Sequence, residues 1–226
     1  MIGSDMLVFR RLTRRALLRH CSLLGLNVAG AGASAARKAV QRAPLLVVGD
    51  SLSAEYGLPR GSGWVALLQR RLQRDKIGIE VVNASISGDT TSGGRSRLPA
   101  LLAQHKPGIV IIELGGNDAL RGLPLSMTQA NLTAMVQAAK AAGARALVVG
   151  MQVPPNYGQK YAQDFASLFA SVAAAEGAAL VPFLLKTVAD GADAAAMFQS
   201  DRIHPNAAAQ PRMLDNVWPV LKPLLA

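Results

Sequence analysis

Leu45-Leu46-Val47-Val48-Gly49-Asp50-Ser51-Leu52-Ser53-Ala54-Glu55 carries the first structural signal in this chain. The apolar run from Leu45 to Val48 has the length and β-branched content of a buried strand, and it breaks at Gly49 into small and polar residues ahead of a helical pattern. Ser51 therefore stands just past a strand end. In open parallel sheets the chemistry gathers outside the carboxyl ends of the strands, so a hydroxyl here is placed to act as a nucleophile. A hydroxyl that only caps a helix or completes a turn would read the same way, and the choice rests on the rest of the chain.

Downstream, strand and helix signals alternate. An amphipathic stretch over Gly63 to Arg74 carries Trp64, Leu67, Leu68 and Leu72 at helical spacing. Ile79 to Val82 reads as a second strand, followed by the turn Ser87-Gly88-Asp89 and a helix over about Thr91 to Gln104. Ile109 to Leu114 is the clearest strand and ends at Gly115-Gly116-Asn117-Asp118. A helix over Thr128 to Ala142 stops at Gly143, and Ala146 to Gly150 is a fourth strand. A helix near Tyr161 to Glu176, a weaker strand over Ala179 to Phe183, and a final helix over Asn206 to Leu225, interrupted by Pro211 and Pro219, complete the pattern. The expected fold is α/β, a three-layer α/β/α sandwich around a five-stranded parallel sheet in the order 2-1-3-4-5.

Composition narrows the function. Half of the 226 residues are hydrophobic, enough for one substantial core. The net charge of +10 is partly an effect of the amino terminus: without residues 1–35 the chain has 19 basic against 13 acidic residues, a charge of +6. Those basic residues are scattered, with one short knot at Arg70, Arg71, Arg74 and Lys76, and aromatic residues are few, so nucleic acid is not an expected partner. A mild attraction to anionic head groups or acyl carriers fits the charge as well as a solvated surface does.

Residues 1–35 read as an export signal, leaving 36–226 as a single domain. Arg10 to Arg19 is a basic region, Cys21 to Ala33 is apolar but too short to span a bilayer, and Ala33-Ser34-Ala35 supplies an A-x-A cleavage site. Thr13-Arg14-Arg15-Ala16-Leu17-Leu18-Arg19 also resembles a twin-arginine signal, and both that route and the Sec route remain open. An uncleaved anchor and lipid attachment at Cys21 compete with this reading; Arg19 and His20 ahead of the cysteine disfavour the second. Cleavage after Ala35 removes the only cysteine, hence any disulfide, thiol nucleophile or cysteine metal site. The expectation is a periplasmic or secreted monomer with no stable membrane insertion.

All strands of such a sheet open onto one edge, which makes neighbours of Asp50-Ser51, Ser87-Gly88-Asp89, Gly115-Gly116-Asn117-Asp118 and Asp201-Arg202-Ile203-His204. A serine nucleophile needs a base, and the base needs a group that holds its tautomer. Of the three histidines, His20 lies in the leader and His105 at the amino end of the third strand, on the wrong edge. His204 remains, with Asp201 three residues before it in a turn that can bring the carboxylate to Nδ1 and leave Nε2 facing Ser51. Oxyanion donors are available in the backbone N–H groups of Ser51 and Gly88 and the amide of Asn117. Asp50 and Asp118 are alternative acids, Asp118 being expected to serve loop geometry. Paired carboxylates for metal or glycosidase chemistry are a weaker reading, since no second His or Glu cluster supports them.

Gly49-Asp50-Ser51-Leu52, Gly88 within Ser-Ile-Ser-Gly-Asp, Gly115-Gly116-Asn117-Asp118 and Asp201-x-x-His204-Pro205 resemble, in order, the four blocks of the SGNH (GDSL) hydrolases. Asp50-Ser51-Leu52-Ser53-Ala54, the run Glu113 to Gly122 and Pro154-Pro155-Asn156-Tyr157-Gly158 are most similar to the bacterial periplasmic branch of arylesterases and thioesterase/lysophospholipases. The resemblance implies a flavodoxin-like fold, a metal-independent acyl-enzyme mechanism with no cofactor, a triad of Ser51, Asp201 and His204, and an oxyanion hole of Ser51, Gly88 and Asn117. It implies a small acyl ester as substrate, bordered by the loop from Leu120 through Arg121 and Leu123 to Leu125 and by the segment from Pro154 to Tyr157. Glu55 departs from the pattern, which has Gly there; a carboxylate near the cleft would disfavour anionic substrates. Arg202 departs too, where Gly is frequent, with little expected effect on the turn. A carbohydrate O-acetylesterase on the same fold and a non-catalytic lipid- or glycan-binding protein are the competing functions.

Overall fold

The computed structural model describes residues 42–226. The export signal expected over residues 1–35 lies outside the described residues. Five parallel strands form one sheet: β1 (Leu45–Gly49), β2 (Val81–Asn83), β3 (Ile109–Glu113), β4 (Arg145–Val149) and β5 (Ala179–Val181). Their order is β2-β1-β3-β4-β5, as expected. β1 and β3 pair along their whole lengths, from Leu45 opposite Ile109 to Gly49 opposite Glu113. This central pair is wholly buried, which is why its sequence reads as an uninterrupted apolar run, whereas β2 and β5 at the edges are short and only partly buried.

Helices cover both faces. α1 (Trp64–Arg74) packs against α6 (Gln210–Leu221) on one side; α2 (Thr91–His105), α4 (Leu125–Ala141) and α5 (Gln159–Glu176) pack side by side on the other. α1 buries the Trp64, Val65, Leu68 and Leu72 stripe and leaves Arg70 and Arg74 exposed. Ala39–Ala226 constitutes one compact unit.

Several boundaries differ from the sequence reading. Ile79 lies ahead of β2, which runs on to Asn83, and β5 stops at Val181 before Pro182. α4 starts three residues early because Pro124 fills its N-cap position. The carboxy-terminal helix is three pieces, with 3-10 turns at Ala207–Ala209 and Lys222–Leu225 around α6; Pro211 fits the first turn of α6, where a missing N–H costs nothing. The loop expected after β3 contains a five-residue helix, α3 (Gly116–Leu120). It is fixed by tertiary bonds to the buried Asp118 carboxylate from the Thr91 N–H (2.8 Å), the Thr91 hydroxyl and the Thr128 hydroxyl (3.3 Å). Asp118 thus ties α3 to α2 and α4.

Candidate active site

The chain leaves β1 through a tight turn. Asp50 accepts a hydrogen bond from the Leu52 N–H on Oδ1 (3.0 Å), and its carbonyl accepts from the N–H groups of Ser53 and Ala54 (3.2 and 2.9 Å). This Asx turn lifts the half-buried Ser51 above the sheet edge. Beyond β5, Asp201 builds a second turn, with Oδ1 accepting from the N–H groups of Ile203 and His204 (2.9 and 3.0 Å). Its Oδ2 lies 2.7 Å from His204 Nδ1, and His204 Nε2 lies 3.0 Å from Ser51 Oγ. The structure therefore brings Ser51, His204 and Asp201 into one hydrogen-bonded line. The backbone N–H of His204 and then that of Ile203 hold the Asp201 carboxyl down at about 2, so it is a fixed anion beside the imidazole.

The backbone N–H groups of Ser51 and Gly88 donate no hydrogen bond among the described residues. Gly88 has φ of 80°, a left-handed conformation that glycine takes at no steric cost. Asn117 approaches from α3, its Nδ2 donating to Asp50 Oδ2 (3.1 Å) and to the Asp89 carbonyl (2.9 Å). The Ser51 and Gly88 N–H groups are thus left free for an acceptor, while both hydrogens of the Asn117 amide are taken by Asp50 and Asp89.

The remaining expected residues fall into two groups. Leu120 and Pro154 are exposed, Tyr157 is at the margin of exposure and Leu123 is half-buried on the same edge. Arg121 donates to the Gly88 carbonyl (2.7 Å), tying its loop to the turn after β2. Tyr157 opens a row of rings, with Tyr161 at 6.2 Å and then Phe165 at 6.4 Å, that leads into the core. Glu55 is engaged differently: its carboxylate accepts from the N–H groups of Gly61 (2.9 Å) and Gly63 (2.8 Å), on the loop that leads into α1. Both departures from the family pattern sit in left-handed backbone, Glu55 at φ 61° and Arg202 at φ 56°. Glycine is favoured there for that reason; Glu55 offsets the strain with its two hydrogen bonds.

Three contributors escape the sequence reading. Tyr56 lays its ring over His204, with centroids 4.3 Å apart. Arg97 of α2 bonds Asp89 Oδ2 (2.8 Å), the Ala84 carbonyl and the Gly49 carbonyl (3.4 Å), and so clamps the ends of β1 and β2 together. Glu113, the last residue of β3, is fully buried; its Oε2 accepts from the Ser53 hydroxyl (2.6 Å) and the Asp50 N–H (3.4 Å). A Cβ at position 49 would stand 2.7 Å from Glu113 Oε2, so this carboxyl requires Gly49. Burial, then the charge of Asp50, pushes Glu113 well above the usual carboxylate range; burial likewise pushes Asp50 up to about 6, against the pull of the Leu52 N–H, His204 and the Asn117 amide. A carboxylate inside an apolar strand was a visible signal of Glu113. For Tyr56 and Arg97 nothing local distinguished them.

His105 ends α2 near Arg42 and Glu80 at the opposite, amino edge of the sheet, away from Ser51. No described helix is long and apolar enough to cross a membrane.

Comparison with known proteins agrees with this geometry. Esterase TesA of Pseudomonas aeruginosa is 54% identical over 181 residues, which cover 80% of this chain and 89% of that protein. Thioesterase 1/protease 1/lysophospholipase L1 of Escherichia coli K12 is 41% identical over 181 residues, 80% of this chain and 84% of that protein. Among solved structures, that of TesA superposes with a TM-score of 0.77 at 56% identity, covering 80% of this chain and 99% of that one. The psychrotrophic esterase EstA from a Pseudoalteromonas species, inhibited by monoethylphosphonate, superposes with a TM-score of 0.76 at 41% identity, over 81% and 98% of the two chains. The profile of the GDSL-like lipase/acylhydrolase family matches residues 47–211. With the sheet order, the four loops and these relatives in agreement, the chain belongs to the GDSL-like lipase/acylhydrolase family and is a carboxylic ester hydrolase.

Proposed function

We propose that this hydrolase is an exported serine esterase that cleaves aryl and short to medium acyl esters, and related thioesters and lysophospholipids, through an acyl-enzyme on Ser51. One observation carries the reading: Asp201, His204 and Ser51 are in line at 2.7 and 3.0 Å. His204 Nε2 takes the proton from Ser51 Oγ as the oxygen attacks the acyl carbon, and Asp201 holds the imidazole with Nδ1 protonated. The negative charge that develops on the acyl oxygen is met by the N–H groups of Ser51 and Gly88 and by the Asn117 amide, which turns one of its hydrogens from the Asp89 carbonyl to the oxyanion. His204 then returns the proton to the departing alcohol or thiol, and a water deprotonated by the same nitrogen releases the acid. Glu113 and Asp50 hold Asn117 and the Ser51 turn from below.

The substrate range follows the relatives, named as an esterase, an arylesterase and a thioesterase/lysophospholipase. Leu120, Leu123, Pro154 and Tyr157 would border the acyl chain, with Arg121 holding their loop to Gly88. The Glu55 carboxylate is anchored by the Gly61 and Gly63 N–H groups and keeps its negative charge there, so it would still disfavour anionic substrates near it. Export to the periplasm or medium as a monomer rests on the basic stretch, apolar run and A-x-A site in residues 1–35.

Labelling with a fluorophosphonate tests the reading. The wild-type chain should take up one equivalent at Ser51 and lose aryl acetate hydrolysis, and Ser51→Ala should remove both. A Ser51→Ala variant that still turned over aryl acetate at the parental rate, or a wild-type chain that resisted labelling, would overturn it.

A further inference from the structure

Among the described residues, the exposed large apolar side chains number five: Tyr56 (50% exposed), Ile86 (52%), Leu120 (53%), Tyr157 (36%) and Ile203 (51%). Their distribution is not that of a surface carrying scattered apolar groups. Each follows a different strand, Tyr56 after β1, Ile86 after β2, Leu120 after β3, Tyr157 after β4 and Ile203 after β5, and none lies on the outer helices or the amino edge. Contacts join the loops that carry four of them beside Ser51. Tyr56 rests on His204 beside Ile203, and Arg121 beside Leu120 bonds the carbonyl of Gly88, two residues after Ile86. Large apolar side chains concentrated on one edge in this way mark an interaction surface.

Charge identifies the occupant. Arg60, Arg121 and Arg202 are exposed in the same loops, and none forms a salt bridge among the described residues. Of the carboxylates nearby, Asp89 is neutralised by Arg97, while Asp201 beside the imidazole and Glu55 on the Gly61 and Gly63 N–H groups keep their charge, so the three exposed arginines outnumber the two remaining anions. A second copy of the chain is disfavoured, because a two-fold contact pairs the same patch with itself and would bring two arginine-bearing collars of like charge together. Apolar tips surrounded by unpaired cations match instead an anionic lipid surface, into which the tips enter at the level of the head groups while the arginines meet phosphate.

We propose that the collar formed by Tyr56, Ile86, Leu120, Tyr157 and Ile203, with Arg60, Arg121 and Arg202, docks the carboxyl edge of the sheet onto anionic phospholipid surfaces. Docking in this orientation sets Ser51 against the lipid, so an acyl ester leaves the surface for the serine without crossing bulk water. The proposal goes beyond ester hydrolysis and is tested without it.

The unit Ala39–Ala226, which contains the whole family match over residues 47–211, carries Ser51→Ala so that vesicles survive, and its co-sedimentation with vesicles is measured. Vesicles of phosphatidylcholine with about one third phosphatidylglycerol should bind it at least about tenfold more than phosphatidylcholine alone, and salt should weaken the binding. Arg60→Gln with Arg202→Gln should lower the partition by about fivefold per arginine. Ile86→Ser with Ile203→Ser should lower it by about tenfold or more while far-ultraviolet circular dichroism stays unchanged. Both arginines of the pair are exposed, so the substitution leaves the core intact. Equal binding to neutral and anionic vesicles, or parental binding by either double variant, overturns the proposal. So does sedimentation velocity that shows a dimer dissolved by Ile86→Ser with Ile203→Ser, since the collar would then be a contact between copies.

Discussion

Asn117 Nδ2 sits 3.1 Å from Asp50 Oδ2, so the amide on the loop after β3 is aimed by the aspartate that precedes the candidate nucleophile. Asp50 also accepts from the Leu52 N–H, and one carboxylate therefore sets the Ser51 turn and the Asn117 donor together. Replacing it tests both. Asp50→Asn turns an N–H toward Asn117 and leaves two donors facing each other, so kcat for an aryl ester should fall by about 100-fold or more with a smaller change in KM.

The same substitution should change how stability depends on pH. Asp50 moves from 3.8 in the unfolded chain to about 6 in the folded protein, so the native state binds the extra proton between those values. Its contribution to stability is complete below pH 3.8 and is lost as pH rises through about 6, on the order of 3 kcal/mol at pH 7. Urea unfolding should show that Asp50→Asn loses less stability than the parent between pH 3.5 and pH 7. Glu113 is displaced in the same direction, and Glu113→Gln should flatten the loss of stability on the alkaline side.

Asp201 behaves oppositely. Held down at about 2, it stays ionised throughout the working range, and its stabilising effect, present above pH 3.8, is lost only as pH falls through about 2. Asp201→Asn presents the His204 ring with an amide that favours the wrong tautomer, and kcat should drop by about 1000-fold or more while the melting temperature at neutral pH moves little. Steady-state kinetics with a soluble aryl acetate reads the first, and calorimetry the second.

Glu55 separates backbone strain from hydrogen bonding. Glu55→Ala keeps the left-handed backbone at φ 61° and removes the acceptor for Gly61 and Gly63, so it should cost about 2 kcal/mol in chemical denaturation. Glu55→Gly loses the same acceptor but recovers about 1 kcal/mol of strain, and it should lie between Ala and the parent. Equal stability of the two variants would contradict the assignment.

Tyr56 stacks on the imidazole through its ring, at 4.3 Å. Tyr56→Phe should leave kcat/KM for a soluble ester within about twofold, whereas Tyr56→Ala frees His204 to leave its line with Ser51 and should lower kcat by about tenfold. If Tyr56→Phe lost as much as Tyr56→Ala, the hydroxyl rather than the ring would be the active part.

Much of this protein is written locally. A strand buried on both faces must be apolar throughout, so Leu45–Val48 and Ile109–Leu114 show themselves in sequence, and the helices between them impose a parallel sheet whose loops share one edge. The line from Asp201 through His204 to Ser51 was equally legible, because a single histidine was placed to serve and the turn Asp201 to His204 is built from neighbours in the chain. What sequence could not supply are relationships between residues distant in the chain and unmarked by pattern. Glu113 beneath Asp50, Arg97 across the ends of β1 and β2, Tyr56 over His204, and five apolar tips gathered around one serine exist only once the sheet has aligned its loops. The reach of a side chain into space leaves no periodicity in the chain; burial, and the position of each strand in the sheet, determine where it lands.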